Sequence, residues 1–162
     1  NRTVLRGIEA AASVDVWRDI AGPGAGDRVT LSGLWNLSDF RFKDDRQYGS
    51  NRIAGVPVNV LRAALSYARP DGFHVSAMVD WVPAGAWADD ANTLRAPGYT
   101  LLGLQAGLDL RNGVSLFVDA RNLTNRRYVS DISTVADART ANTAIFYPGA
   151  GRSLFAGMRY AF

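Results

Sequence analysis

The stretch Leu154-Phe-Ala-Gly-Met-Arg-Tyr-Ala-Phe162 decides the fold, because its residues alternate strictly and it finishes on an aromatic residue. A strand here would place one set of side chains, all apolar, on one face: Leu154, Ala156, Met158, Tyr160 and Phe162. A period of two residues is typical of a β-strand with two different faces. Since the termini of water-soluble domains usually fray, we expect neighbouring strands to hold this segment along its whole length.

The composition excludes several classes of protein. The chain has no cysteine, so it can form neither a disulfide framework nor a thiolate metal site. Its 18 basic and 15 acidic residues are scattered and leave a net charge of +3, with Lys43 the only lysine. This is unlike the basic stripe of a nucleic-acid binder, so no nucleic-acid partner is expected. No run of roughly eighteen apolar residues occurs, which excludes a transmembrane helix but not a transmembrane barrel.

The same alternation recurs along the chain in seven segments of about ten residues, a length that suits a tilted crossing of a membrane. The six segments before the last one have these apolar faces: Ile8, Ala10, Ala12, Val14, Val16; Val29, Leu31, Gly33, Trp35, Leu37; Leu61, Ala63, Leu65, Tyr67; Phe73, Val75, Ala77, Val79, Trp81; Leu102, Leu104, Ala106, Leu108, Leu110; Val114, Leu116, Val118, Ala120.

Two tight turns predict how neighbouring segments pair. Residues 70–72 read Pro-Asp-Gly, and residues 111–113 read Arg-Asn-Gly, which suits a three-residue loop with glycine in the left-handed position. The second register places Gly107 opposite Phe117, so we expect the aromatic ring to cover the glycine. Both registers keep apolar residues opposite each other: Tyr67–Val75, Leu65–Ala77, Leu61–Trp81, Leu110–Val114 and Leu108–Leu116.

The connections divide into two kinds, and their distribution favours a membrane barrel. Residues 18–27, 70–72 and 111–113 are the shorter links, whereas residues 44–57, 83–98 and 123–151 are long, so one rim would carry turns and the other long loops. A soluble barrel with its apolar face inward is the alternative. The scarcity of lysine on the less apolar face argues against it. Aromatic residues near segment ends also favour lipid: Trp35, Tyr67, Phe73, Trp81, Tyr160 and Phe162.

Three short motifs carry a family resemblance. Residues 122–128, Asn-Leu-Thr-Asn-Arg-Arg-Tyr, follow the strand of residues 114–121 and resemble the penultimate-strand motif of TonB-dependent outer-membrane receptors. Residues 6–9, Arg-Gly-Ile-Glu, and residues 147–152, Tyr-Pro-Gly-Ala-Gly-Arg, resemble two further segments of that barrel. By their order and spacing, and by the aromatic residue at position 162, the chain resembles the C-terminal portion of such a barrel.

The resemblance implies a 22-stranded barrel filled by an N-terminal plug. Such a receptor imports an iron–siderophore complex, cobalamin or another scarce nutrient across the bacterial outer membrane, with energy delivered through TonB. Residues 1–162 are then expected to be the last part of the barrel, an all-β, antiparallel, up-and-down transmembrane segment of about seven strands, without the plug, the N-terminal strands or the segment that contacts TonB. The alternative is a small closed outer-membrane barrel, either an adhesin, a structural protein or a membrane enzyme, with an eighth strand at residues 143–147.

Catalytic chemistry is not expected, and neither a cofactor nor a metal ion is implied. His74 and Ser76 share a face, but without a third orienting group an ordinary polar role is favoured. The carboxylates Asp80, Asp109 and Asp119 are expected to form a network with Arg62 and Arg159 on the lumen side. Ligand contact is assigned to arginine and aromatic residues of the long loops, which suit an anionic chelate: Arg46, Tyr48, Arg52, Trp87, Arg95, Arg139 and Tyr147. For any single one of them, a solvated surface meeting lipopolysaccharide phosphates is the favoured interpretation.

The remaining expectations concern partners. By resemblance, Met158, Tyr160 and Phe162 form the signal that the barrel-assembly machinery recognises. The other expected partners are outer-membrane lipid and lipopolysaccharide, the rest of the receptor barrel with its plug, and TonB through the missing N-terminal part. Residues 122–128 are expected to be structural, ending one strand and starting a loop.

Overall fold

The computed structural model describes residues 2–110, 113–140 and 143–161. No helix in these ranges is long and apolar enough to cross a membrane. The strands are β1 (Thr3–Arg18), β2 (Arg28–Phe42), β3 (Asn59–Ala68), β4 (Phe73–Val82), β5 (Tyr99–Asp109), β6 (Val114–Arg121), β7 (Val129–Ser133), β8 (Ile145–Pro148) and β9 (Ser153–Tyr160).

Seven of these strands form one antiparallel sheet in the order β1-β2-β3-β4-β5-β6-β9, which confirms the all-β, up-and-down architecture. Strands β7 and β8 pair only with each other, as a small hairpin within the connection between β6 and β9. The expected strand at residues 143–147 therefore exists in part, as β8, but it does not join the sheet. Over the described residues β1 and β9 remain unpaired edges, so the sheet is open and no eight-stranded barrel forms.

The predicted registers are confirmed on both sides of the short turns. Tyr67 pairs with Val75, and Leu108 pairs with Leu116. Gly72 adopts a φ of 93°, and its amide donates to the Arg69 carbonyl, closing the turn at residues 69–72. At the other turn the Leu110 amide donates to the Val114 carbonyl at 2.7 Å, whereas Arg111 and Asn112 lie outside the described residues.

Three details of the sheet differ from the sequence prediction. Val16 was expected on the apolar face, but a bulge between Asp15 and Trp17 pairs Trp17 with Val29, so Trp17 takes that place. Gly107 does pair with Phe117. However, the Phe117 ring lies over Gly157 on the other neighbouring strand, and Gly107 is covered by the His74 ring.

The third difference is strand length. Strands β1 and β2 have 16 and 15 residues rather than about ten, and they continue well beyond Trp35 toward the long-loop rim. Trp35 is therefore not near a strand end, although it still lies in one row with Leu61 and Trp81. The charged residues in the extension interrupt the apolar pattern without ending the strands, which is why the sequence pattern underestimated their length.

The apolar face of the sheet is uncovered. Leu154 and Met158 are 70% and 69% exposed, and Ile8, Val14, Leu65 and Leu104 are also exposed. A continuous apolar face of this kind suits contact with lipid. We call it the outward face and the opposite one the inward face. Most buried apolar residues lie instead in the long loops, at Ala54, Ala86, Ala88 and Ala96.

Candidate functional site

The three long connections meet at one rim of the sheet, as the sequence predicted, and they pack into a single body. We call this body the loop platform and define it as residues 43–58, 83–98 and 134–138. The central connection, residues 83–98, contacts both others through main-chain hydrogen bonds. The Gly55 amide donates to the Trp87 carbonyl at 2.8 Å, and the Val135 amide donates to the Ala88 carbonyl at 3.1 Å.

Asp89 is the centre of the loop platform. Its carboxylate is fully buried and accepts hydrogen bonds from the Thr93 amide at 2.8 Å, the Thr93 hydroxyl at 2.5 Å, the Leu94 amide at 3.1 Å and the Ala138 amide at 3.0 Å. Burial raises the pKa of this carboxyl, but the donated hydrogen bonds outweigh burial and hold the pKa below its usual value. Asp89 thus stays ionised and ties together two loops that are far apart in sequence.

Asn92 and Asp90 bind the first connection, residues 43–58, to the central one through hydrogen bonds to its backbone. The Asn92 side chain accepts from the Arg52 amide and donates to the Arg52 carbonyl, both at 2.8 Å, which reproduces the pairing of a β-bridge. The Asp90 carboxylate accepts from the buried Ala54 amide at 3.1 Å. Sequence reasoning missed Asp89, Asp90 and Asn92. The available signal was the run of short polar side chains at residues 89–92, since such side chains commonly bond to nearby backbone groups.

Trp87 and Arg95 are the ligand-contact candidates that the structure brings together. The Arg95 guanidinium lies 5.1 Å from the centroid of the Trp87 ring, and its Nε donates to the Gly85 carbonyl at 2.8 Å. The two residues also form a β-bridge across the central connection. A cation over an indole face is a fixed pair that presents both charge and apolar area.

Tyr48 and Arg46 lie in the turn of the first connection. The Tyr48 ring packs against Phe42 with centroids 4.8 Å apart, and Arg46 is exposed. Asp45 caps this turn by accepting from the amides of Tyr48 and Gln47, and these bonds hold the Asp45 pKa below its usual value.

The other three ligand-contact candidates, Arg52, Arg139 and Tyr147, have other partners. Arg52 pairs with Asp39 at 2.9 Å, and Asp39 lies on the outward side of β2. The Arg139 side chain donates two hydrogen bonds to Asp137, at 2.7 and 3.0 Å, and the Arg139 amide donates a third at 2.9 Å. Tyr147 is 47% exposed in β8, where its carbonyl accepts from the Ser130 hydroxyl. The seven candidates therefore do not form one site, and their role in ligand binding stays a prediction.

The contact between Asp137 and Arg139 predicts that this turn keeps its ion pair at low pH. Hydrogen bonds from the Arg139 side chain and amide lower the pKa of the Asp137 carboxyl to about 2. Because this folded-state pKa lies below the ordinary 3.8, the contact stabilises the turn above pH 3.8 and is lost as the pH falls toward 2. An NMR titration of the full-length protein should show this low value, and Arg139→Gln should raise it toward normal. An unchanged Asp137 titration in that variant would contradict the assignment.

The inward face forms a concavity of about 780 Å³ below the loop platform. Arg62 pairs there with Asp80 at 3.0 Å across β3 and β4, as the sequence predicted. Asp119, however, pairs with Arg121 on its own strand. Within the described residues Asp109 and Arg159 form no ion pair, so the predicted network is only partly present.

The polar residues near the opposite rim fulfil plain structural roles. Ser76 donates to Ser66 at 2.8 Å, and the His74 ring lies 3.3 Å from the Gly72 carbonyl, which are the contacts of ordinary polar residues. Among the residues that the structure describes, no three His, Cys, Asp or Glu side chains converge on a point where a metal ion could bind.

Residues 122–128 lead from β6 to β7, and hydrogen bonds hold them against residues 150–152, just before β9. Asn122 is buried in the left-handed conformation, with a φ of 48°, and its amide nitrogen donates to the carbonyls of Arg126 at 2.9 Å and Ala150 at 3.0 Å. Its side-chain oxygen accepts from the Arg126 amide at 2.8 Å. The Tyr128 ring packs on Tyr99, with centroids 4.6 Å apart. These contacts agree with the structural interpretation of the motif.

Met158 and Tyr160 lie on the outward face of β9, opposite Leu116 and Val114 of β6, and both are more than half exposed. Phe162, the third residue of the expected assembly signal, lies outside the described residues. Recognition by the barrel-assembly machinery stays a prediction.

Comparisons with known proteins agree with this architecture. Residues 1–123 match the model of TonB-dependent receptor-like β-barrels. The ferrioxamine B receptor of Salmonella typhimurium (strain SL1344) is 30% identical over 145 residues, and the ferrioxamine receptor of Yersinia enterocolitica is 29% identical over 144 residues. Each alignment covers 84% of this chain, and the chain spans 19% of the length of each relative.

A solved structure shows the same fold. The ferric yersiniabactin uptake receptor of Yersinia pestis superimposes with a TM-score of 0.73 at 22% identity, covering 99% of this chain and 24% of that one. An open antiparallel sheet with an exposed apolar face is what part of a larger outer-membrane barrel requires. With the family model matched over residues 1–123 and this architecture, the chain belongs to the TonB-dependent receptor β-barrel family of the bacterial outer membrane.

Proposed function

We propose that residues 1–162 are the C-terminal part of the barrel of an outer-membrane receptor that imports an iron–siderophore complex. The plug, the preceding strands and the segment that TonB contacts would lie outside this chain. The family match over residues 1–123 is the observation that carries the proposal. The unpaired edges of β1 and β9 support it, since a barrel wall needs a neighbour at each edge.

The choice of an iron–siderophore complex rests on the relatives and on the loop platform. The two relatives are named as receptors for ferrioxamines. In the loop platform, Trp87 and Arg95 combine an aromatic face with a guanidinium. Arg46 and Tyr48 lie in the turn of the first connection, where the Tyr48 ring packs on Phe42. Chelates that present apolar chains beside polar oxygen atoms are suited to this chemistry. Cobalamin has no comparable support among these observations.

The plug is proposed to occupy the inward concavity. The wall of this concavity carries Arg62, Asp80, Gln105 and Asp119. Among the described atoms, Asp119 Oδ1 is buried without a hydrogen-bond partner, and a buried acceptor of this kind usually has one. A donor from the plug would satisfy it, and energy from TonB would act by moving the plug away from this wall.

A small closed barrel with an adhesive, structural or enzymatic role is the second candidate. It would require β1 and β9 to pair, whereas the structure leaves both as edges. Refolding of the isolated 162 residues distinguishes the small closed barrel from part of a receptor barrel. Refolding in detergent into a heat-modifiable monomer would support the closed barrel, and aggregation would support the receptor.

The proposed cargo is tested with the full-length receptor and the double variant W87A/R95A. We expect this variant to bind ferric ferrioxamine B at least tenfold more weakly, because it loses one charged and one aromatic contact. Binding is measured by quenching of intrinsic fluorescence, and import by uptake of radioactive iron. Arg28→Ala, at the short-turn rim, is the control and should bind normally. Unchanged binding in W87A/R95A would contradict the site, and import of cobalamin but not of iron would contradict the cargo.

A further inference from the structure

The extended ends of β1 and β2 carry charge on the outward face. Arg6 pairs with Asp39, and Val4 pairs with Arg41, in an unbroken register that continues from Ile8 opposite Leu37. Since alternate residues of a strand share a face, Arg6, Asp39 and Arg41 lie on the same side as the lipid-facing residues. Because these charges lie beyond Trp35 toward the long-loop rim, they are outside the hydrocarbon layer and at the level of the lipid headgroups.

Arginine outnumbers carboxylate in this cluster. Arg41 Nε lies 2.8 Å from Asp39 Oδ1, and Arg52 Nη1 lies 2.9 Å from the same atom. Arg52 reaches the cluster from the first connection, where it forms a β-bridge with Arg41. Two guanidiniums thus contact one carboxylate, and Arg6 lies opposite Asp39 in the register of β1 and β2. The cluster thus has a surplus of two positive charges, with Arg6 exposed and the Arg41 side chain 41% exposed.

An apolar groove lies directly below the cluster on the same face. Two adjacent rows of the sheet form it, one running from Ala10 through Trp35 to Trp81, the next from Ala12 through Gly33 to Val79. The small residues form the floor of an open groove of about 570 Å³, which is bordered by Trp35 and Trp81 and lined almost wholly by apolar atoms. The floor residues are Ala10, Ala12, Gly33 and Ala63.

The cluster and the groove are spaced like the two parts of one lipid. Four residues separate Arg6 from Ala10 along β1, or about 13 Å at roughly 3.3 Å per residue. A phosphate bound to the arginines would therefore place a chain attached to it over Trp35 and into the groove. Tryptophan at this depth is typical of the boundary between headgroups and hydrocarbon. Guanidinium groups bind phosphate through paired hydrogen bonds.

We propose that this outward face binds one lipopolysaccharide molecule, with a phosphate on Arg6 and Arg41 and an acyl chain in the groove. The cluster lies at the long-loop rim, which faces the cell exterior in outer-membrane barrels, so the lipid of the outer leaflet is the occupant in reach. The proposal rests on the membrane placement in the proposed function and is independent of the cargo.

The test uses the full-length receptor, purified in mild detergent and titrated with lipopolysaccharide while bound lipid is counted by native mass spectrometry. We expect R6A/R41A to weaken binding at least tenfold. The matched control R28A/R69A removes the same charge at the opposite rim and should bind within twofold of the unaltered protein. Gly33→Leu fills the groove without changing charge and should weaken binding at least threefold.

Folding does not confound these variants. A Cβ at Gly33 would meet nothing closer than the Arg62 carbonyl oxygen, at 3.8 Å, so leucine fits the strand there. The heat-induced shift in gel mobility should be normal for every variant. Iron import is measured in parallel, because lipid binding that persists when import fails would separate this proposal from that of the cargo.

Four results would overturn the proposal. Equal lipid binding by R6A/R41A and R28A/R69A would show that Arg6 and Arg41 do not bind the lipid. Normal binding by Gly33→Leu would show that the groove does not. Displacement of the lipid by phosphatidylglycerol or by inorganic phosphate at equal concentration would assign the cluster to a general anion. A change in oligomeric mass in either outward-face variant would assign the surface to a protein partner.

Discussion

Replacing Asp89 with alanine should release the loop platform while leaving the barrel folded. The change removes the acceptor for three amides and one hydroxyl, and each buried donor left without a partner costs about 1–3 kcal/mol. The amides of Thr93, Leu94 and Ala138 should then exchange with solvent roughly a hundredfold faster. Hydrogen exchange of the full-length protein measures this directly, and under the proposed function the affinity for ferric ferrioxamine B should fall with it.

Two further variants test whether the effect of Asp89→Ala comes from the loss of its carboxylate. Asp89→Asn keeps one acceptor oxygen but turns an NH₂ group toward a donor, so it should also accelerate exchange. Asp109→Ala removes an exposed carboxylate at the opposite rim and should leave exchange in the loops unchanged. If Asp89→Ala leaves the Ala138 amide protected, the connection between the second and third loops does not depend on this carboxylate.

Replacing Asn122 should loosen the end of β6 from the start of β9. Asn122→Ala removes three hydrogen bonds and forces alanine into a left-handed conformation, which together should cost about 3 kcal/mol or more of local stability. Faster exchange of the Arg126 amide, and a lower temperature at which the purified receptor loses its folded gel mobility, are the expected readouts.

Two other substitutions separate the effect of the Asn122 side chain from the effect of its backbone conformation. Asn122→Gly adopts the left-handed conformation freely but lacks the side chain, so it should destabilise less than alanine does, by about 1 kcal/mol. Asn122→Asp preserves the acceptor for the Arg126 amide but places an oxygen against the carbonyls of Arg126 and Ala150, and should be as harmful as alanine. A neutral Asn122→Asp would show that the two donated bonds contribute little.

The sheet was largely predictable because its determinants are local. Period-two alternation and the turn at residues 70–72 together fixed the pairing of Tyr67 with Val75, and a register error of one residue would have turned an apolar face inward. The bulge at Val16 had no such signal, since Val16 and Trp17 are both apolar and either could face lipid. The long ends of β1 and β2 were missed because alternation of apolar residues stops where Arg6 and Asp39 begin, although the hydrogen-bonded ladder continues.

The contacts of the loops could not be predicted in the same way. Asp89 and Ala138 are 49 residues apart, and the bond between them depends on where three irregular segments come to rest. The position of the Arg52 side chain could not be predicted either. Its type and loop position suggested ligand contact, but its guanidinium pairs with Asp39 on the outward side while its backbone is held by Asn92.

The shared anchoring of the loops has a consequence for moving these loops from one barrel of this family to another. Residues 83–98 supply Asp89 and Asn92, but the groups that bond to them on other loops are the amides of Ala138 and Arg52. A transplant of the central loop alone would carry these side chains into a host without matching neighbours. Grafts should therefore move residues 43–58, 83–98 and 134–138 together, as a single cassette.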